Sequence, residues 1–222
     1  MFRIKTLAIA AFGLTLAACT MPETPTRGLN DVAQLPAVDG MPIVQAQYDV
    51  QNIQIIVPRD LRVSEANVFF PIADIVWHGE PLGDRYKQVE AIYAEATQRA
   101  TTGMDQGRAV NVSVQITRFH CLTPKTRYTV GGVHSLEFVL QVTDAKTGDI
   151  IDGPRLINAD VKGSGGMRAQ EEEDVGITQR IVIVNRLVQV FQDELTRPLP
   201  QVPGDSVISR DVFSPLALTA VE

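Results

Sequence analysis

Five stretches of this chain repeat apolar residues at a fixed spacing, which is two in three of them and between three and four in the other two. Val110, Val112, Val114 and Ile116 alternate with Asn111, Ser113, Gln115 and Thr117, the signature of a strand with one buried and one wet face. Leu136, Phe138, Leu140 and Val142 repeat the pattern, and Ile53, Ile55 and Val57 give a shorter version that Pro58 ends. Val89, Ile92, Tyr93, Ala96 and Ala100 recur instead at helical spacing, with Asp84 placed to cap that helix and Gly103 to end it near Thr102. A second helix carries Ile177, Ile181, Val184, Val188, Phe191 and Leu195 on one stripe, with Ile183, Leu187 and Val190 beside it.

The connections complete the topology. Leu61 to Ala66 is expected to add a short extended piece, and residues 67–83, apolar but broken by Pro71, Gly79, Pro81 and Gly83, a structured loop. Asp144 to Asp149 reads as a hairpin loop with Gly148 at the position needing positive φ, and Ile157, Ala159 and Val161 line the returning strand. The run Glu171-Glu172-Glu173-Asp174 after a Gly-rich turn is expected at the start of the last helix, where the macrodipole favours acid. The order strand–helix–strand–strand–strand–helix predicts an α+β two-layer sandwich: a mainly antiparallel sheet of three to five strands with two helices on one face.

The predicted domain spans residues 47–197. Before it, Pro22, Pro25, Gly28, Pro36, Gly40 and Pro42 mark residues 19–46 as a tether. After it, Pro198, Pro200 and Pro203 open a tail, 198–222, whose Val207, Ile208, Val212 and Phe213 are too apolar for a simple solvated arm. That tail is expected to pack back or to dock on a partner.

At the other end, Arg3 and Lys5 precede an uncharged apolar run from Thr6 to Ala18. Thirteen residues are too few to cross a bilayer as a helix and fit a cleaved signal. Leu16-Ala17-Ala18-Cys19 resembles a bacterial lipoprotein signal, which implies cleavage before Cys19 and acylation of that residue. Thr20, rather than Asp, resembles the default that sorts to the outer membrane. The resemblance implies an envelope protein held in a membrane by acylated Cys19 and facing the periplasm. Removing residues 1–18 takes away Arg3 and Lys5 and moves the formal net charge from −6 to −8. A chain this acidic lacks the basic face that nucleic acid requires. Cys121 is then the sole remaining cysteine, so no intramolecular disulfide forms and packing alone holds the core.

Candidate chemistry is sparse. His120, Cys121 and His134 flank one loop and would supply a hydrolase or redox enzyme with a thiol–imidazole pair, or a zinc site with three of its ligands. Neighbours in a strand point to opposite faces, however, and neither a fourth ligand nor an oxyanion donor is evident. Neither a metal nor any other cofactor is expected. Gly163-x-Gly165-Gly166 does not complete a dinucleotide fingerprint, because Arg168 stands where glycine is needed, and it reads as a flexible turn. Trp77 beside Asp74, Glu80 and Asp84 would suit a sugar, but packing at a core edge is the simpler reading. The loop after the first long strand stands out more. Arg118 breaks the inward parity, which suggests a bulge, and Arg118, Lys125, Arg127 and Tyr128 form a basic and aromatic patch on an acidic protein. This patch is the expected contact for an unidentified envelope protein.

Residues 58–145 resemble an uncharacterised family of Gram-negative lipoproteins, through Leu61 to Asn67, Ala73 to Trp77, Gly83 to Arg85 and Thr126 to His134. The order of elements is similar, at the level of fold alone, to small periplasmic α+β lipoprotein domains that assist envelope assemblies or transporters. The leading expectation is a non-enzymatic, lipid-anchored accessory domain, the alternatives being the enzyme above or a carrier of a small apolar ligand between sheet and helices.

Overall fold

The computed structural model describes residues 43–45 and 47–200. Cys19, most of the tether and the tail beyond Pro200 lie outside the described residues. The main sheet is mixed and open, with the order β2 (Tyr48–Ile56), β4 (Arg108–His120), β5 (Gly132–Asp144), β6 (Ile150–Asn158). β2 runs parallel to β4, as the crossover helix α1 (Arg85–Ala100) between them requires, and the other two pairings on this path are antiparallel. Two fragments extend its outer strands: β3 (Ile75–Val76) pairs with β4 beyond the end of β2, and β7 (Val161–Gly163) pairs with β5 beyond β6. The sheet therefore holds six strands where three to five were expected. The surplus comes from outer strands that break and restart. β1 (Ile43–Gln45) and β8 (Pro198–Pro200) form a separate antiparallel pair.

The α+β reading holds, and its layers follow from the periodicities. Asp84 caps α1 by accepting from the Lys87 N–H at 3.2 Å, and Val89, Ile92, Tyr93, Ala96 and Ala100 all face the core. The even positions of β4 and β5 meet them, and α4 (Gln179–Leu195) closes the same face. Trp77, Tyr93, Phe119, Phe138 and Phe191 are fully buried and mostly meet edge to face. They fill the interface between sheet and helices where a carrier would hold its apolar ligand. The suspected bulge is present: the β4–β5 register slips between Ile116 and Arg118, and the inward position passes to Phe119. Gly148 has φ +77°, as its hairpin loop demands.

Three expectations need correction. Leu61 to Ala66 forms no strand, only a single bridge from Val63 to Ile75. The acidic run does not open the last helix. It forms the C-terminal half of a separate helix, α3 (Met167–Asp174), and α4 begins after Gly176 with Thr178 as its cap. Acid at a helix C-terminus opposes the macrodipole, and cationic and hydroxyl partners from neighbouring elements compensate two of these carboxylates. The buried stripe of α4 is centred on Ile183, Leu187, Val190 and Phe191, while Ile177 and Ile181 stand half exposed, because the helix starts later and is rotated from the expected phase.

Candidate functional site

The end of the sheet where β4 stops and β5 begins carries the most unusual surface. Between them a single-turn helix, α2 (Pro124–Arg127), is capped by the Thr123 side chain. This turn pins the loop that precedes β3. Thr123 Oγ1 donates to the Val68 carbonyl at 2.7 Å and Thr126 Oγ1 to the Phe69 carbonyl at 2.8 Å. His120 Nε2–H donates to the Pro71 carbonyl at 2.9 Å, and the Lys125 N–H reaches Asn67 Oδ1. With its backbone satisfied from below, the loop turns Val68, Phe69, Phe70 and Ile72 outward, the last 83% exposed. Apolar side chains held out by four hydrogen bonds to their loop are a built feature and not a frayed segment.

The four residues of the predicted basic patch occupy different surroundings. Arg118 is half-buried and donates to Ser135 Oγ at 3.2 Å. Lys125 is exposed, with its ammonium 4.7 Å from the centre of the Phe69 ring. Tyr128 is partly exposed and its hydroxyl donates to Glu173 Oε2 at 2.6 Å. Arg127 is 2% exposed and points inward, with its Nε 3.5 Å from the same Glu173 oxygen. The surface is thus not a continuous cationic patch. Lys125 and Tyr128 remain accessible, and the apolar loop, which sequence reading left as mere structure, lies against Lys125.

His120, Cys121 and His134 are likewise sorted into separate roles. His120 stacks on Phe70, with ring centres 4.4 Å apart, and supports the apolar loop. Cys121 packs in the hydrophobic core, where burial pushes its thiol well above the usual range and keeps it protonated. His134 is fully buried. Its Nδ1 accepts from the Leu122 N–H at 3.4 Å, and burial, with Arg127 nearby, holds the ring down to about 4, so it is neutral at pH 7. Among the described residues, no group of three His, Cys, Asp or Glu is placed to hold a metal ion. Trp77 is closed to any sugar, being fully buried, and Gly79 lies so close over its indole that a Cβ there would sit 2.2 Å from the ring.

Beside His134 the structure opens a cavity of about 310 Å³. Arg127, His134, Lys162, Ser164, Arg168 and Glu172 supply its polar walls, Ile177 and Val182 its apolar ones. Glu172 accepts from Ser164 Oγ at 2.6 Å and from Arg168 Nε at 3.1 Å, which holds its carboxyl below the usual range.

Residues 48–209 match the model of a family described as "Family of unknown function (DUF6778)". The chain belongs to this family. The matched span contains the apolar loop, α2 and the cavity together, and leaves Cys19 outside it. No curated protein matches the chain. Among solved structures, that of protein XCC0632 from Xanthomonas campestris, labelled DUF330, aligns over 71% of this chain and 86% of its own at 11% identity. Its TM-score of 0.38 is too low to carry an argument.

Within this family domain, sequence reading missed the cavity because its walls come from five separate segments. One signal was present: Gly131-Gly132 and Gly163-x-Gly165-Gly166. Gly165 passes so near Gly131 that a Cβ would lie 2.2 Å from the Gly131 nitrogen, so the glycines permit a close backbone crossing and do not form a flexible turn.

Proposed function

We propose that this protein is a non-enzymatic accessory domain of the cell envelope, held in a membrane through acylated Cys19, that binds an envelope protein with the end of the sheet carrying Val68 to Ile72. The observation that carries this reading is the pinned apolar loop. Phe69, Phe70 and Ile72 are exposed while the carbonyls of Val68, Phe69 and Pro71 are satisfied internally, so the loop can be covered by a partner without stranding its own acceptors. Lys125 beside Phe69 adds a charge that suits an acidic rim on that partner.

The chain enters the domain far from the proposed contact surface. The tether enters the sheet at Tyr48, which pairs with Arg108, whereas the apolar loop contacts His120 at the other end of β4. Twelve steps of about 3.3 Å put roughly 40 Å between the two. An enzyme reading finds less support, since the Cys121 thiol is buried and His120 serves the loop backbone.

The test uses crosslinking in intact envelopes with membrane fractionation. Phe69→Ser with Ile72→Ser should lose the crosslinked partner and leave the protein in the membrane fraction. Cys19→Ala should release it or leave the signal uncut. Capture undiminished in the loop variant refutes the contact surface, and an uncleaved, unacylated wild-type protein refutes the anchor. Arg127 is unsuited to this test, because it is buried and points inward, away from any partner at the surface.

A further inference from the structure

We infer that the cavity between Arg127, His134, Lys162 and Arg168 binds a small carboxylate borne on a short aliphatic group, either a free acid or the terminal residue of a peptide. This inference is independent of the anchor and of the apolar loop.

The first observation is an excess of donors. A guanidinium offers five N–H groups, and an arginine taken out of water needs acceptors for them. Among the described residues, Arg127 has the Tyr128 ring 6.0 Å from its guanidinium carbon, and its polar contacts by distance are the Ala169 carbonyl at 3.5 Å and an ion pair at 3.5 Å to Glu173, a carboxylate that is itself 44% exposed. Both polar contacts are at the outer limit of a hydrogen bond. Arg127 is nonetheless buried and lines the cavity.

The second observation is the tautomer of His134. Because Nδ1 accepts from Leu122, the ring proton of the neutral imidazole sits on Nε2. That N–H is buried and has no acceptor among the described residues. It faces Gly163, another wall residue, where a Cβ would come within 2.7 Å of it. Only glycine leaves this side of the ring uncovered by a side chain. The fully buried imidazole is thus a donor in want of a partner, independent of the arginine beside it.

Charge and shape then narrow the ligand. Lys162 is exposed at the rim and has no ion pair among the described residues. Arg168 is paired with Glu172, whose charge Ser164 also satisfies, so the one carboxylate in the wall is already occupied. What remains is a cationic, donor-lined space into which an oxyanion fits. The planar fork of Arg127 matches a carboxylate, and Ile177 with Val182 forms a patch for an aliphatic group. At about 310 Å³ the cavity lies at the small end of ligand sites, too small for a long acyl chain.

The experiment uses the full chain in detergent micelles with nitrogen-15 histidine, whose three imidazoles report separately by NMR. The probes are 3-methylbutanoate, N-acetylvaline, inorganic phosphate and, as neutral control, 3-methylbutanamide. Expected is a saturable shift of the His134 Nε2 resonance with the first two, none with the amide, and unmoved signals from His78 and His120. Tighter binding of N-acetylvaline assigns a peptide terminus as the source, and equal or weaker binding a free acid. Lys162→Gln should weaken binding about tenfold, the scale of one charge-assisted hydrogen bond. Arg127→Lys should abolish it. If Arg127→Lys does not fold, the rim variant Lys162→Gln decides alone. No saturable shift with either carboxylate, equal binding of the amide, preference for inorganic phosphate, or undiminished binding by Lys162→Gln overturns the proposal.

Discussion

Arg85 and Arg127 are buried to nearly the same degree, 4% and 2% exposed, yet their surroundings are opposite. Arg85 opens α1 and is held on every side. Glu65 takes a paired grip at 2.7 and 2.9 Å, the carbonyls of Glu80 and Pro81 each accept at 3.2 Å, and Gln88 Oε1 accepts at 2.6 Å. It stitches the loop before β3, the loop before α1 and the helix itself into one unit. Arg127 has two contacts at 3.5 Å, the Tyr128 ring 6.0 Å from its guanidinium carbon, and a cavity beside it. A buried cation whose acceptors are supplied by the fold is structure. One whose acceptors lie at the outer limit of a hydrogen bond has capacity left for a ligand, and burial alone does not separate the two.

Replacing each arginine with methionine breaks the comparison most directly. Arg85→Met strands the Glu80 carbonyl and a paired carboxylate and should cost about 3 kcal/mol or more. Arg127→Met keeps the volume, removes a poorly paired charge, and should change stability by less than about 1 kcal/mol. Urea denaturation of both variants checks this, and equal losses would mean that Arg127 is as structural as Arg85.

The histidines beside the two arginines extend the contrast into pH. Burial lowers His78 first, with Glu65 opposing and Arg85 adding to it, whereas His134 is lowered by burial first and by Arg127 second, with no opposing carboxylate, down to about 4. An unfolded histidine takes up its proton below about 6.5. The folded His134 does not until about 4, so between these values the unfolded state binds more protons. Stability should therefore be complete above pH 6.5 and fall as the pH drops toward 4, by on the order of 3 kcal/mol at most. Burial lowers His78 in the same direction, so the variant His134→Gln is needed to isolate its share of the slope. A wild-type slope unchanged in that variant would show that His134 titrates normally.

A smaller effect sharpens the comparison from the other side. If the end near Arg127 does not depend on the arginine for its order, it must depend on the threonines of its turn. Thr126→Val removes the donor to the Phe69 carbonyl and should cost about 1–3 kcal/mol, more than Arg127→Met, despite deleting no charge. Proteolysis near Phe69 should accelerate with it, and an unaltered rate would place the pinning elsewhere.

Much of this fold was legible because it is local. The even-numbered apolar residues of β4, the spacing of α1 with its Asp84 cap, the bulge signalled by Arg118 and the turn at Gly148 each follow from a few neighbouring residues. Both errors around α3 and α4 arose where local signals conflicted. Acid before an apolar run favours a helix start, but Gly166 and Gly176 bracket a separate helix whose carboxylates serve distant partners. Glu173 meets Arg127 and Tyr128, more than forty residues earlier, so nothing near Arg127 in the sequence marks it as buried. A cluster of basic residues in a loop reads as solvated until the elements that cover it are known. The cavity was hidden for the same reason: α2, β5, β7, α3 and α4 each contribute to its wall, and only the β5–β7 register brings His134 opposite Val161, beside Lys162 and Gly163.

The pairing of β1 with β8 carries a mechanical consequence. Ile43 lies opposite Pro200 and Gln45 opposite Pro198, so the two ends of the chain depart together from one extremity of a short antiparallel ribbon. A pull between the two ends loads this ribbon in the unzipping direction, one rung at a time, where resistance is least. Such a pull parts three residue pairs at a lower force than the main sheet or α4 would need. The ribbon is a yielding element in series with the domain, able to open under load while the sheet, the pinned loop and the cavity keep their shape.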